Sequence, residues 1–166
     1  IEAFVLEQLA SSYSVLTHDE RELGVCLIDI GCGTTDVAVF TDGSISYTDV
    51  IPIAGDHVTH DIAEALRTPP SQAEDIKQRY GCAVSALTKS DEMMMVPGMG
   101  GRPERELSRQ ALADVLERRY VEIFSMAQQK LSLSGFESLI PAGVVLTGGA
   151  AKVEGAVELA EEVFHA

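Results

Sequence analysis

The sequence predicts an α/β fold with a lobe inserted into it, on three observations. An apolar run from Val25 to Ile30 reads as a buried strand, and a small-residue turn separates it from a second apolar run, Val37–Phe40. A further apolar run, Gly143–Thr147, again ends on glycine, at Gly148-Gly149. Between these two strand–glycine units the pattern is mainly helical, with one long amphipathic helix after Ser108. A length of 166 residues suits one ordinary domain or two small lobes, with enough apolar content for a core.

Along the chain, Phe4, Val5, Leu9, Tyr13 and Leu16 recur at helical spacing, and Ala10, Ser11 and Ser12 in their midst would let another backbone approach closely. Thr17–Glu22 reads as a charged connector with His18 exposed. Asp42-Gly43 supplies a tight turn into a third strand, Ser44–Ile51, so the first three strands form an antiparallel meander. Asp56 is a candidate N-cap for a short helix carrying Val58, Ile62, Ala65 and Leu66 on one face. His57, His60 and Asp61 on that helix make a weak metal signal that exposed helix positions explain equally.

Thr68-Pro69-Pro70 breaks the chain, and Ser71-Gln72-Ala73-Glu74 has the form of a capping box for a helix from about Gln72 to Tyr80. Cys82–Leu87 and Met93–Val96 are expected to pair as short strands around Lys89-Ser90-Asp91, with a loop over 97–103. Leu112, Val115, Leu116, Tyr120, Ile123, Phe124, Ala127 and Leu131 then form one apolar stripe, ended by Ser134-Gly135. Lys152–Phe164 is again helical, with Val153, Val157, Ala160, Val163 and Phe164 expected inward.

A net charge of −14 argues against nucleic-acid binding and against direct electrostatic attachment to anionic lipid. No run reaches transmembrane length, and the start lacks a basic, cleavable leader. The chain opens on Ile1, so it reads as a piece of a longer protein. Cys26, Cys32 and Cys82 form no ligand cluster and read as reduced thiols, Cys26 in the core and Cys32 as a small turn residue.

The chemistry sits in the first turn. Gly31 and Gly33 remove side chains where backbone N–H groups could face an anion, Thr34 and Thr35 add hydroxyls, and Asp29 puts a carboxylate at the strand end. Amides and hydroxyls suit phosphate oxygens, and a carboxylate suits Mg²⁺ or its waters. A glycine-rich hairpin with solvated Asp29 and Asp36 would use the same residues. Glu74 and Lys77 lie one helical turn apart and can converge on one ligand edge, although a capping box alone would also account for Glu74.

Three motifs in order carry a resemblance. Cys26-Leu-Ile-Asp-Ile-Gly-Cys-Gly-Thr-Thr-Asp36 resembles the second phosphate motif of the actin-like ATPases. Val144-Val-Leu-Thr-Gly-Gly-Ala-Ala151 resembles their adenosine motif, and Leu9-Ala-Ser-Ser-Tyr13 their connecting helix. Within that superfamily, Ala10–Thr17, Glu20–Val25, Thr68–Ser71, Gly100–Pro103 and Leu146–Ala151 are similar to the FtsA family of bacterial cell-division proteins. Cys32, where glycine is expected in many relatives, and a compact Leu131–Pro141 connection depart from the pattern.

The resemblance implies half of an actin-like (ribonuclease H-like) body: a mixed sheet with flanking helices over 1–62 and 140–166, and a small α+β lobe over 63–139. It implies ATP and Mg²⁺ as cofactors. Asp29 would hold the metal through water, the Gly31, Cys32, Gly33, Thr34 and Thr35 segment the phosphates, and Gly55, Glu74, Lys77, Gly148, Gly149 and Ala150 the rest of the nucleotide. It implies at most a slow ATPase in the intact protein and none in this piece alone. It further implies self-association into filaments, contact with FtsZ through its C-terminal tail and with other divisome proteins, and a cytoplasmic location at the inner membrane face through a tail outside this chain.

Five of the chain's 12 basic residues (Arg102, Arg105, Arg109, Arg118 and Arg119) crowd one stretch that holds only four of its 26 acids. Arg119 falls on the flank of the apolar stripe and Arg118 points away, so this stretch is the expected site for an acidic–apolar peptide; a snorkelling arginine is the alternative. Among Met93, Met94, Met95 and Met99, some are expected in the core and others on adaptable surface. A small-molecule kinase and a non-hydrolysing pilus-type scaffold are competing functions on the same fold. Nothing between Asp36 and Gly143 looks like a sugar site, which disfavours the kinase.

Overall fold

A computed structural model describes residues 4–165. Helices α1 (Glu7–Val15) and α2 (His18–Leu23) precede the meander β1 (Val25–Ile30), β2 (Thr35–Thr41) and β3 (Ser44–Ile51). Asp42 and Gly43 both take positive φ (52° and 73°), the geometry of the tight hairpin turn that their residue types favour. Helices α3 (Gly55–Leu66) and α4 (Pro70–Tyr80), strands β4 (Met93–Val96) and β5 (Arg105–Ser108), and the long helix α5 (Arg109–Ser134) follow. Strand β6 (Val144–Thr147) and helix α6 (Ala156–Phe164) complete the order.

The main sheet runs β3-β2-β1-β6, with β6 parallel to β1 and the other pairs antiparallel, so it is mixed. Strand β1 is central and covered on both faces. Cys26, Ile28, Ile30, Val37 and Val39 point into a core shared with α3, α5 and α6. Val25, Leu27, Ala38 and Phe40 point the other way, onto Leu16 and Leu9. The stripe on α5 is buried as its periodicity predicts, Val115 only in part, with Ser108 as N-cap and Gly135 (φ 79°) as left-handed C-cap.

Several local expectations fail for identifiable reasons. Phe4, Val5 and Tyr13 are exposed, and α1 instead turns Gln8 and Ser11 to two carboxylates on the sheet and buries Ser12, whose hydroxyl donates to the Leu9 carbonyl. The connector is helix α2, capped by a Thr17–Glu20 capping box. Ala54, not Asp56, caps α3, and its N–H donates to His57 Nδ1 at 3.2 Å. Helix α4 starts two residues early, with Pro70 in its first turn, so Ser71 caps nothing. Strand β4 pairs with β5 across the 97–104 loop, while Ser85–Leu87 is a 3₁₀ turn. Ala150–Lys152 is likewise 3₁₀, and the restart of the chain at Ala156 turns Val157 outward and Leu159 inward. Met94 is buried, and Met93, Met95 and Met99 are exposed.

Candidate functional site

Where β1 and β6 end side by side, the chain leaves an open cleft of about 1020 Å³. The first glycine turn contributes Gly31 and Cys32 to its wall, and the start of α3 contributes Gly55, Asp56 and Thr59. Helix α4 adds Glu74 and Lys77, and the second turn adds Gly149 and Ala150. Residues far apart in sequence and expected to share a ligand therefore share one cavity.

Gly31 N–H closes the first turn on the Thr34 carbonyl at 3.0 Å. The Gly31 and Cys32 carbonyls accept from the Gly55 and Asp56 amides at 3.1 and 2.8 Å, so the first turn of α3 fixes the loop. A Cβ on Gly55 would sit 3.1 Å from the Gly31 carbonyl oxygen, a tight contact that glycine avoids. Among the described residues, no acceptor takes the N–H groups of Cys32, Gly33 or Thr34. Three neighbouring, exposed amides thus have no acceptor within the described part of the protein.

Cys32 is more than a filler: its Sγ–H donates to Asp56 Oδ1 at 2.9 Å. That hydrogen bond, and the charge of Asp56, push the thiol pKa up and keep it protonated. Thr34 is exposed and lies 3.4 Å from Asp36 Oδ2. Thr35 is a correction: it is fully buried, and its hydroxyl donates to the Ile53 carbonyl at 2.7 Å, so it braces the turn and faces no ligand.

Asp29 and Asp36 are cross-strand partners on the face that meets α1. Ser11 Oγ donates to Asp29 Oδ2 and Gln8 Nε2 to Asp36 Oδ1, each at 2.7 Å, which offsets the repulsion of like charges placed opposite each other. Gly148 packs behind this pair: it holds φ at +92°, and a Cβ there would meet the Ile30 carbonyl and Asp29 Oδ1. Gly149 is different, with nothing within 4 Å of its missing Cβ on the cleft side. Among the described residues no three His, Cys, Asp or Glu side chains are grouped to hold a metal, which disposes of His57, His60 and Asp61.

Lys77 is buried and spends all three N–H groups on the protein: Gly55 O at 3.0 Å, Thr59 Oγ1 at 2.8 Å and Glu74 Oε2 at 2.7 Å. Glu74 Oε1 accepts from Gln78 at 2.8 Å. Burial pushes the Glu74 carboxyl up, but the bonds from Lys77, Thr59 and Gln78 outweigh it and hold the pKa at about 2. The pair does reach the cleft, as a self-satisfied network tying α4 to the start of α3.

Tyr120, read from sequence as plain core, donates its hydroxyl to the Ala150 carbonyl at 2.7 Å and so positions the second turn. Its burial pushes its pKa up. The one signal for this was a tyrosine inside an otherwise aliphatic and phenylalanine stripe, since a buried phenol needs an acceptor.

The five arginines do not form one patch. Arg109 belongs to the large cleft, donating to the Tyr80 carbonyl at 2.9 Å and pairing with Glu92 at 3.0 Å and with Glu154. Arg105 is tied to the Leu66 carbonyl, and Arg102 is exposed on the 97–104 loop. Arg118 and Arg119 line a separate cleft of about 450 Å³ between α3 and α5, floored by Ala65 and Val115. There Arg119 is bidentate to Asp61, at 2.6 and 2.9 Å, and bonds Glu122 at 2.6 Å.

A family model described as "Cell division protein FtsA" matches residues 26–166. The chain belongs to the FtsA family. It is 64% identical over 165 residues to the cell division protein FtsA of Pseudomonas aeruginosa, covering 99% of this chain and 40% of that protein. To FtsA of Escherichia coli K12 it is 52% identical over 172 residues, covering 99% and 41%. The chain thus spans about two-fifths of the length of these relatives. Among solved structures, MreB5 of Spiroplasma citri bound to ADP superposes with a TM-score of 0.78 at 23% identity, over 97% of this chain and 52% of that one. The same protein bound to AMPPNP gives 0.78 at 25% identity, over 96% and 51%. The actin-like fold expected from the three motifs is therefore present. No described helix of this FtsA-family chain is long and apolar enough to cross a membrane.

Proposed function

We propose that this chain supplies half of an ATP clamp and a partner-binding lobe to an actin-like adaptor that tethers FtsZ filaments to the inner face of the bacterial membrane. The observation that carries the nucleotide part is the cleft itself. It gathers Gly31 and Cys32 of the first turn, the Glu74–Lys77 network and the open Gly149 edge in a space the size of a nucleotide site, with the unpaired amides of Gly33 and Thr34 next along the turn. The ADP- and AMPPNP-bound structural relatives lend support.

In this reading the amides of Cys32, Gly33 and Thr34 hold phosphate oxygens, and the nucleotide passes along Gly149 and Ala150. Gly148, Tyr120, Lys77 and Thr35 position those groups from behind, while Gly31 and Gly55 let the backbone close up. Mg²⁺, when bound, would neutralise phosphate charge, and Asp29, a single carboxylate at the strand end, would hold one of its waters, as this ion prefers. Binding by this half alone is weak at best and turnover absent, because a clamp needs both sides.

The partner part rests on residues 63–139 as a lobe, supported by the separate β4–β5 sheet. Its site is the α3–α5 cleft, where Arg118 and Arg119 stand beside apolar Ala65 and Val115 and among the chain's own Asp61, Glu64 and Glu122. An acidic–apolar segment such as the FtsZ C-terminal tail suits that combination. Filament formation, other divisome contacts and the membrane-attached location belong to the intact protein.

Co-sedimentation of the intact protein with FtsZ on lipid vesicles in ATP tests the whole reading, and FtsZ left in the supernatant contradicts it. Peptide titration by fluorescence anisotropy tests the site. Arg119→Ala should weaken binding of the FtsZ tail by roughly tenfold and Arg118→Ala by only a few-fold. Unchanged affinity in Arg119→Ala would move the site off this helix.

A further inference from the structure

We propose that Asp61 is an internal occupant of the α3–α5 cleft, a carboxylate that an acidic partner segment must displace from Arg119 before it can bind. The proposal rests on the reading of that cleft as the acidic-segment site.

Arg119 gives Nε–H to Asp61 Oδ2 at 2.6 Å and one Nη2–H to Asp61 Oδ1 at 2.9 Å, the two-pronged fork that a carboxylate from outside would take. A third N–H, on Nη1, goes to Glu122 Oε2 at 2.6 Å. Three of the five N–H groups of this guanidinium, its two-pronged edge included, are thus already taken by the chain's own acids. With Glu64 the cleft carries three carboxylates against two guanidiniums, and Arg118 makes no ion pair among the described residues. An acidic segment arriving with Asp61 in place meets net repulsion and one exposed cation.

The pair is also built to exchange. The Arg119 and Asp61 side chains keep 24% and 28% of their surface exposed, so water and an incoming carboxylate can reach both. Helix α3 is pinned at its start through the Gly55 and Asp56 amides, so Asp61 leaves by turning its own side chain, without helix movement. One carboxylate then replaces another on the same donors, and Asp61 goes to solvent. The Ala65 and Val115 floor supplies the apolar contact that Asp61 cannot make, and this favours the partner in the exchange.

This competition predicts a gain of affinity from removing a charge, which a purely structural Asp61–Arg119 tie does not. In the intact protein, with a fluorescein-labelled FtsZ tail peptide as probe, Asp61→Asn should tighten binding roughly five-fold. The gain should vanish when Arg119→Ala is added, since the competition acts only through that arginine. Glu122→Gln, which leaves the α3–α5 tie intact, should give a smaller gain of the same sign. Unchanged or weaker binding in folded Asp61→Asn overturns the proposal; should that variant fail to fold, Asp61→Ser carries the same test with the same two outcomes. If Arg119→Ala alone leaves the affinity unchanged, the peptide does not use this cleft, and the partner site fails together with the Asp61 competition. If Arg119→Ala weakens binding while Asp61→Asn does not strengthen it, only the Asp61 competition fails.

Discussion

The two clefts of this molecule differ in what forms their decisive walls. At the glycine turns the large one is walled by backbone, with unpaired amides at 32–34 beside it, carbonyls of Gly31 and Cys32 held by the amides of α3, and glycines where a side chain would collide or intrude; charged side chains such as Glu74, Lys77 and Arg109 line its other side. The small one between α3 and α5 is made of long charged side chains, and its central pair joins residues 58 positions apart. Backbone features are set by local residue type, so the glycine-turn wall of the first cleft announces itself in sequence. Charge pairs are set by packing, so the second is adjustable and stays hidden until the helices are placed.

Mutations in and behind the second turn separate the contributions of backbone and side chain. The largest effect should come from Gly148→Val. With φ at +92° and the Ile30 carbonyl in the way, it should cost about 3 kcal/mol or more in urea unfolding; a loss below 1 kcal/mol would mean the second turn is not rigid. Tyr120→Phe removes one buried hydrogen bond to Ala150 and should cost about 1–1.5 kcal/mol. No change there would imply that the turn holds itself.

Glu74→Gln tests the network by pH. A carboxylate held at about 2 when folded and near 4.5 when unfolded adds stability that is present above pH 4.5 and lost as pH falls towards 2. Wild type should therefore lose stability over that window relative to Glu74→Gln. The difference should be about 1 kcal/mol, because the group is part-exposed and solvent screens it. Parallel acid-unfolding curves would show that the network contributes nothing.

Much of the large cleft was legible in sequence for the reason just given. An apolar run ending on glycine marks both turns, Asp42-Gly43 marks the hairpin, and a stripe at helical spacing marks α5. The misreadings share a cause, which is that side chains choose partners across the fold. Thr35 looked like a phosphate hydroxyl until Ile53 came within reach. Phe4 and Tyr13 looked like the inner face of α1, but Asp29 and Asp36 draw Ser11 and Gln8 inward instead. Arg109 looked like part of a basic patch, but Glu92 and Glu154 take it to the opposite cleft. The Thr17–Glu20 box that makes α2 a helix was readable, and the run of charges masked it.

Gly149 offers the most direct test of the central claim, that the sheet-end cleft is a nucleotide site. Its backbone is ordinary helical (φ −63°, ψ −40°) and its missing Cβ faces open space, so Gly149→Val adds bulk to the cleft and to nothing else. Calorimetric titration of MgATP into the intact protein should show affinity reduced by roughly tenfold or more in Gly149→Val, while stability changes by no more than about 0.5 kcal/mol. Wild-type MgATP affinity in a normally folded Gly149→Val protein would contradict the account.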